Sequence, residues 1–212
     1  MPPDATDSPI FARNVPGMTR ALQAAVVGIA GCGGLGSNVA VALTRAGIGR
    51  LILVDHDRVD ISNLNRQHYF QSDVGRLKVD ALADHLRAIH PAVQIEGHAM
   101  RLTPDDVPSI LAPAEVLIEA FDRAQEKQWL IETWSGVFPK RPIICASGLG
   151  GLGNTASLRI RSSGAIHFCG DGTTDMSQGL CAARVGVVAN MQANLAIELL
   201  VRDGATTDAH DQ

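Results

Sequence analysis

The sequence predicts an α/β protein built on a doubly wound, mostly parallel sheet, with a C-terminal antiparallel pair and a closing helix. Two observations carry that expectation. Short, nearly pure apolar runs at residues 26–30, 51–54, 116–120 and 142–147 alternate with stretches of helical periodicity, as strands buried on both faces require. The first run ends in a glycine cluster, Gly31, Gly33, Gly34 and Gly36, and a helical pattern comes directly after it. Hydrophobic residues make up 46% and charged residues 19% of the chain, a globular balance that excludes wholesale disorder. Its 212 residues suffice for one domain with a sizeable core.

In chain order, residues 1–15 are rich in Pro and Asp and predict a flexible arm, and 16–24 a short helix leading into the first strand. Residues 35–46 carry apolar side chains at helical spacing, stopped by Gly47 and Gly49. A polar connection spans 60–73. A helix is expected over 74–89, ended by His90-Pro91. Residues 93–98 alternate like a strand, 104–111 predict a short helix, and 124–137 a helix holding Trp129 and Trp134. The glycine-rich stretch 148–153 has no helix after it and reads as a loop. Residues 154–161 and 165–169 alternate as an antiparallel pair. A long helix over 178–201 closes the fold, and 203–212 is expected to be a disordered tail. The domain proper is therefore 16–202, a single unit.

Strand, glycine turn, helix and strand ending in Asp55 make a nucleotide-binding βαβ unit, Rossmann-like in form. Glycines let backbone approach a phosphate, and the helix start offers free N–H groups and a positive dipole end. Asp55 is placed to accept from ribose hydroxyls. The pattern also fits a dinucleotide site. The polar residues beyond Asp55 are more telling: Asp57, then Asn63-Leu64-Asn65-Arg66-Gln67, then Lys78, and Asp122 after the strand at 116–120. Taken singly, Arg66 suits a solvated loop, Lys78 a solvent-facing helix position and Asp122 a helix N-cap. In this order on a parallel sheet they converge at the carboxyl edge, as fixed cations for a polyphosphate and a carboxylate able to hold Mg²⁺.

These motifs, G-C-G-G-L-G-S, L-V-D-H-D, S-N-L-N-R-Q and V-G-R-L-K-V, resemble the ThiF/MoeB/HesA family, bacterial relatives of ubiquitin-activating enzymes, over about residues 13–200. The later A-A-R-V-G-V-V-A-N-M-Q-A-N is most similar to compact ThiF-type members linked with thiamine biosynthesis. The resemblance implies Mg·ATP-dependent adenylylation of the C-terminal Gly-Gly carboxylate of a small ubiquitin-like, ThiS-like sulfur carrier protein, with release of pyrophosphate. It implies that Gly31, Gly33, Gly34 and Gly36 form the nucleotide loop and that Asp55 holds the ribose. Asp57 and Asn63 would line the ATP pocket, Arg66 and Lys78 contact phosphates, and Asp122 bind magnesium. Gln67 lies in the motif with a less defined role. It also implies a homodimer with an N-terminal arginine, Arg13 or else Arg20, reaching the partner's site.

Many relatives bind zinc through two C-x-x-C pairs. Cys32, Cys145, Cys169 and Cys181 form no such pair, so no zinc is expected, and the setting of Cys181 gives no sign of an activated thiol. The net charge of −4 disfavours nucleic acid as a main partner. No apolar run approaches the ~20 residues of a membrane span, and the N-terminus has no signal-peptide pattern, so a cytoplasmic location is expected. Three alternatives stay open: a same-fold ATP-dependent enzyme acting on another carboxylate or a modified tRNA base, an NAD-binding oxidoreductase, and a binding module without chemistry. The oxidoreductase has no evident use for Arg66 and Lys78.

Overall fold

The computed structural model describes residues 8–207. Seven strands form one sheet in the order β3-β2-β1-β4-β5-β7-β6. They are β1 (Val26–Ala30), β2 (Arg50–Val54), β3 (Gln94–His98), β4 (Val116–Glu119), β5 (Ile143–Ala146), β6 (Arg159–Ser163) and β7 (Ile166–Gly170). All pairings are parallel except β6 with β7. The expected doubly wound sheet with its antiparallel pair is therefore what forms. Strands β4 and β5 are buried throughout and β1 and β2 nearly so, which is why they read as unbroken apolar runs. Edge strand β6 is mostly exposed and carries Arg159 and Arg161, side chains that discourage pairing with another sheet.

Helices cover both faces. On one, α1 (Met18–Ala24), α2 (Gly36–Ala46), α3 (Lys78–Ile89) and α6 (Ala182–Thr207) bury Leu22, Leu43, Leu82 and Val188 with the strands' inner side chains. On the other, α4 (Val107–Ile110) and α5 (Ala124–Val137) pack Val107, Leu130 and Trp134 on Ile52, Leu117 and Ile143. Register then sets the site. Ala30 lies beside both Val54 and Glu119, so Gly31, Asp55 and Ala120 leave the sheet together at its carboxyl edge.

The structure moves several expected boundaries. The helix expected over 74–89 starts at Lys78: residues Gln71–Asp73 form a 3₁₀ turn, Gly75 has φ +89° and Leu77 is extended. The strand expected from 154 starts at Arg159, because Asn154 adopts φ 48° and opens a 3₁₀ turn at Thr155–Ser157. The last helix starts at Ala182 rather than 178, after a left-handed Gly179, and runs to Thr207, into the expected tail. The remainder of that tail, 208–212, lies outside the described residues, as do residues 1–7 of the expected arm. From Pro9 the arm is fastened. Phe11 is buried edge-on against His90, with ring centroids 4.9 Å apart, and Asn14 Nδ2 donates to the Ala46 carbonyl at 2.9 Å.

His90 and His167 are both buried, and burial holds their pKa values below the ordinary 6.5. Acid therefore protonates them first in the unfolded chain. Their contribution to stability is complete above about pH 6.5 and is lost as pH falls through that value toward the folded-state values. Thermal melts between about pH 5 and 8 should show a level Tm at the top and a decline below about 6.5 that His90→Asn reduces. A parent Tm unchanged down to about pH 5 contradicts this.

Candidate functional site

The site begins where β1 turns into α2. Gly31 has φ +97°, and its N–H donates to the Val54 carbonyl at 2.8 Å. A Cβ on Gly36 would overlap the Gly31 carbonyl oxygen, so the turn closes only on glycine there. Gly36 shapes the turn but does not line the cavity, whereas Gly31, Gly33 and Gly34 do. At Gly33 a Cβ would meet only Gln67 Nε2, 3.8 Å away. Space lies open over that backbone, at the start of an eleven-residue helix.

Asp55 fastens this turn to the end of β2. Its Oδ2 accepts from Cys32 N–H at 2.6 Å and its Oδ1 from Asp57 N–H at 2.8 Å. Asp57 in turn pairs with Lys78, Nζ to Oδ2 at 2.8 Å. The Lys78 side chain is 7% exposed, so α3 delivers a cation into the cavity wall, not to solvent. Burial opposes ionisation of Asp57, but the hydrogen bond and charge of Lys78, with His56 and Arg123, outweigh it and lower its pKa. Tyr69 braces the turn beneath, its hydroxyl donating to the Cys32 carbonyl at 2.8 Å.

Arg66 lines the cavity, half-buried, with Nη1 donating to Asn65 Oδ1 at 2.7 Å and its aliphatic stem beside Gly34. Gln67 is buried and lines the same cavity, and its Oε1 has no hydrogen-bond partner among the described residues. That orphaned oxygen marks a place where a bound polar molecule would complete the structure. Asp122, exposed at the mouth, makes no hydrogen bond or ion pair among the described residues. Arg123 takes the N-cap position of α5, without a side-chain cap, so Asp122 does not serve as an N-cap. Apolar side chains, Met100, Leu102, Phe121 and Trp129, also line the cavity, together with the ion-paired Arg101 and Glu126. A second cleft adjoins the first, shares Phe121, Asp122, Leu149 and Met176 with it, and extends over Ser147 and Gly148.

Two expected site residues stand elsewhere. Asn63 does not line the cavity; its Oδ1 accepts from Asp60 N–H at 3.1 Å and closes a 3₁₀ turn. Arg13 is exposed on the N-terminal turn and is not part of this wall. Cys181 is exposed and lines neither cleft. Sequence reasoning missed Tyr69, the apolar wall, and Glu119. Glu119 is fully buried at the end of β4; burial raises its pKa, opposed by its ion pair with Lys127. The only signal for Glu119 was an acid inside an otherwise apolar run.

Chemically, the cavity joins a backbone cradle and two cations for a polyphosphate to a slot for a flat ring. Asp122 is a free carboxylate of the kind a hard divalent cation takes, so the donor set fits Mg²⁺ with water completing its shell. His56 with Asp55 and Asp57 also brings three donor atoms within 4.8 Å of one another. There, however, both Asp55 oxygens and Asp57 Oδ2 already accept hydrogen bonds.

The model of the ThiF family matches residues 10–211. The "Adenylyltransferase and sulfurtransferase uba4" of Emericella nidulans is 30% identical over 204 residues, covering 89% of this chain and 42% of that protein. Its namesake in Aspergillus terreus is 38% identical over 136 residues, 64% of this chain and 28% of that one. The chain thus spans less than half the length of these curated relatives. Among solved structures, the tRNA N6-threonylcarbamoyladenosine dehydratase TcdA of E. coli superposes with TM-score 0.82 at 21% identity, over 89% of this chain and 91% of that one. Its complex with ATP gives TM-score 0.79 at 22% identity, over 89% and 90%. These similarities show the shared fold.

Asp55 and Asp122 should separate in stability measurements. Asp55→Ala strands the buried Cys32 N–H and the part-buried Asp57 N–H and should cost about 2–3 kcal/mol in denaturant unfolding. Asp122→Ala removes no contact and should stay within about 0.5 kcal/mol. Equal costs would contradict the assignment of contacts.

Proposed function

The chain belongs to the ThiF family, and from that premise we propose that it adenylylates the terminal carboxylate of a small ubiquitin-like, ThiS-like sulfur carrier protein ending in Gly-Gly. ATP is the nucleotide donor, and the pathway served is thiamine biosynthesis in the cytoplasm. The observation that carries the reading is the convergence of Gly33, Arg66, Lys78 and Asp122 on one cavity that opens into a second cleft at Asp122. The adenine lies against Phe121 and Trp129, the ribose reaches Asp55 and Asp57, and the phosphates run over the glycine turn. Magnesium held by Asp122 would screen phosphate charge. The carrier tail enters by the second cleft, where Ala146, Ser147 and Gly148 present small side chains.

In this reading a carboxylate oxygen attacks the α-phosphorus. An acyl–O–P bond forms, the bond to the β-phosphate oxygen breaks, and pyrophosphate leaves. No proton need move, so the protein's task is placement and charge. Arg66 and Lys78 stabilise negative charge accumulating on the transferring and leaving phosphates, in a site formed before substrate arrives. Lys78 is already oriented by Asp57, which lowers the cost of ordering it. Gln67 Oε1 finds its missing partner in the bound nucleotide or its water. The active unit is a homodimer, and Arg13, exposed outside its own cavity, serves the partner's site. No helix among the described residues is long and apolar enough to cross a membrane.

A second reading takes a carboxylate on a modified tRNA base as acceptor. It is favoured by the match to the E. coli dehydratase over nine-tenths of both chains, and opposed by the net charge of −4.

ATP–pyrophosphate exchange tests both. Exchange should require Mg²⁺ and a carrier with its terminal glycine. Arg66→Ala and Asp122→Ala should each lower it about 100- to 1000-fold with little change in Tm. Exchange supported by tRNA and not by carrier selects the second reading. Undiminished exchange in both variants removes the mechanism.

A further inference from the structure

We infer that the buried Asp171–Arg184 ion pair is a positioning device for the nucleotide cavity, fixing the two loops that form its outer wall and so setting nucleotide affinity. The inference rests on the nucleotide reading above. Neither residue lines the cavity. Their neighbours do: Leu149 on the glycine loop after β5, Met176 and Leu180 between β7 and α6, and Val185 in the first turn of α6. Val185 matters most, because its Cγ1 lies 3.1 Å from where a Gly34 Cβ would stand. The start of α6 therefore sets the depth of the phosphate cradle.

Asp171 and Arg184 tie these pieces into one knot. Both are about 95% buried, and Arg184 Nη2 donates to Asp171 Oδ2 at 2.5 Å. The other arm of the guanidinium, Nη1, donates to the Gly153 carbonyl at 2.6 Å, clasping the far end of the glycine loop. Asp171 Oδ1 accepts from the Thr173 and Thr174 N–H groups at 2.7 and 2.9 Å, which turns the chain toward Met176. Gly148 packs so closely that a Cβ there would overlap Asp171 Oδ1. Between the two loops run three backbone bonds: Gly151 N–H to the Gly179 carbonyl at 2.8 Å, Gly172 N–H to the Ser147 carbonyl at 2.9 Å and Asp171 N–H to the Gly148 carbonyl at 3.1 Å. Five glycines in 148–179 have φ between +71° and +81°, so these loops have little stiffness of their own. The backbone bonds hold the near ends of the loops; the ion pair adds the ties to Gly153 and to the Thr173–Thr174 turn. Arginine's planar fork can span Asp171 and Gly153 together, which a lysine cannot do.

The test monitors Mg·ATP binding by tryptophan fluorescence, since Trp129 lines the cavity. Asp171→Asn keeps an oxygen for the threonine amides but loses the charge. Arg184→Lys keeps the charge but loses the fork. Each is measured at a temperature where near-UV circular dichroism reports a folded protein. Both should weaken ATP binding about ten- to a hundredfold, while exchange at saturating ATP stays within about twofold of the parent. Should Asp171→Asn not fold, Arg184→Lys decides alone. A purely structural pair would lower Tm and leave affinity unmoved. Affinity within about twofold of the parent in a folded variant overturns the inference. A parent that binds no ATP overturns the nucleotide reading itself, a result visible before any variant is compared.

Discussion

The carboxylate of Asp55 is the interaction on which the site depends. Its two oxygens touch both the glycine turn, through Cys32 N–H, and the segment that follows β2, through Asp57 N–H. From there the contacts propagate. Asp57 holds Lys78 through its carboxylate and accepts the Lys78 N–H with its carbonyl at 2.9 Å, fixing the start of α3. Tyr69 closes the circuit by reaching the carbonyls of Cys32 and Lys78. Turn, strand end and helix start are thus one hydrogen-bonded body, and a cation held in it loses little freedom on meeting a phosphate. Burial, reinforced by the Asp55 charge, also raises the Cys32 pKa well above the usual range, which keeps the thiol protonated.

The opposite wall is built on a different plan. The glycine turn is braced by several contacts, from Asp55, Asp57 and Tyr69, that join residues 21 to 37 positions apart. Between the outer loops the side-chain bracing centres on one pair, Asp171 with Arg184. Burial raises the cost of ionising Asp171, yet the Thr174 and Thr173 amides and hydroxyls outweigh it and hold the carboxyl well below its ordinary value. The site therefore has a rigid floor and a wall whose order depends on a charge pair. A substrate that must enter beside the nucleotide needs such a division, because the floor positions phosphates while the wall admits a chain.

The fold, the glycine turn and the gathering of Asp55, Arg66, Gln67 and Lys78 at the sheet's carboxyl edge were readable from their order along a βαβ unit, although each residue alone had more than one reading. Asn63 sits in the same polar run, and residue type alone does not tell a cavity amide from one consumed in closing a turn. Lys78 was placed a turn into its helix because the apolar period continues back to Val74; the positive φ of Gly75 breaks the helix, not the period. The pairings of Glu119 with Lys127 and of Asp171 with Arg184 were not legible. Their meaning lies in partners eight and thirteen residues away that only folding brings together.

In the proposed reaction a carrier carboxylate attacks the α-phosphorus of ATP seated on the glycine turn. Oxygen-18 tracing tests it most directly. The carrier's terminal carboxylate is labelled, incubated with enzyme and Mg·ATP, and the product is cleaved with hydroxylamine, which takes the acyl group and leaves the bridging oxygen on phosphorus. The AMP released should carry heavy oxygen. Unlabelled AMP, or ADP with the heavy oxygen in orthophosphate, would contradict it.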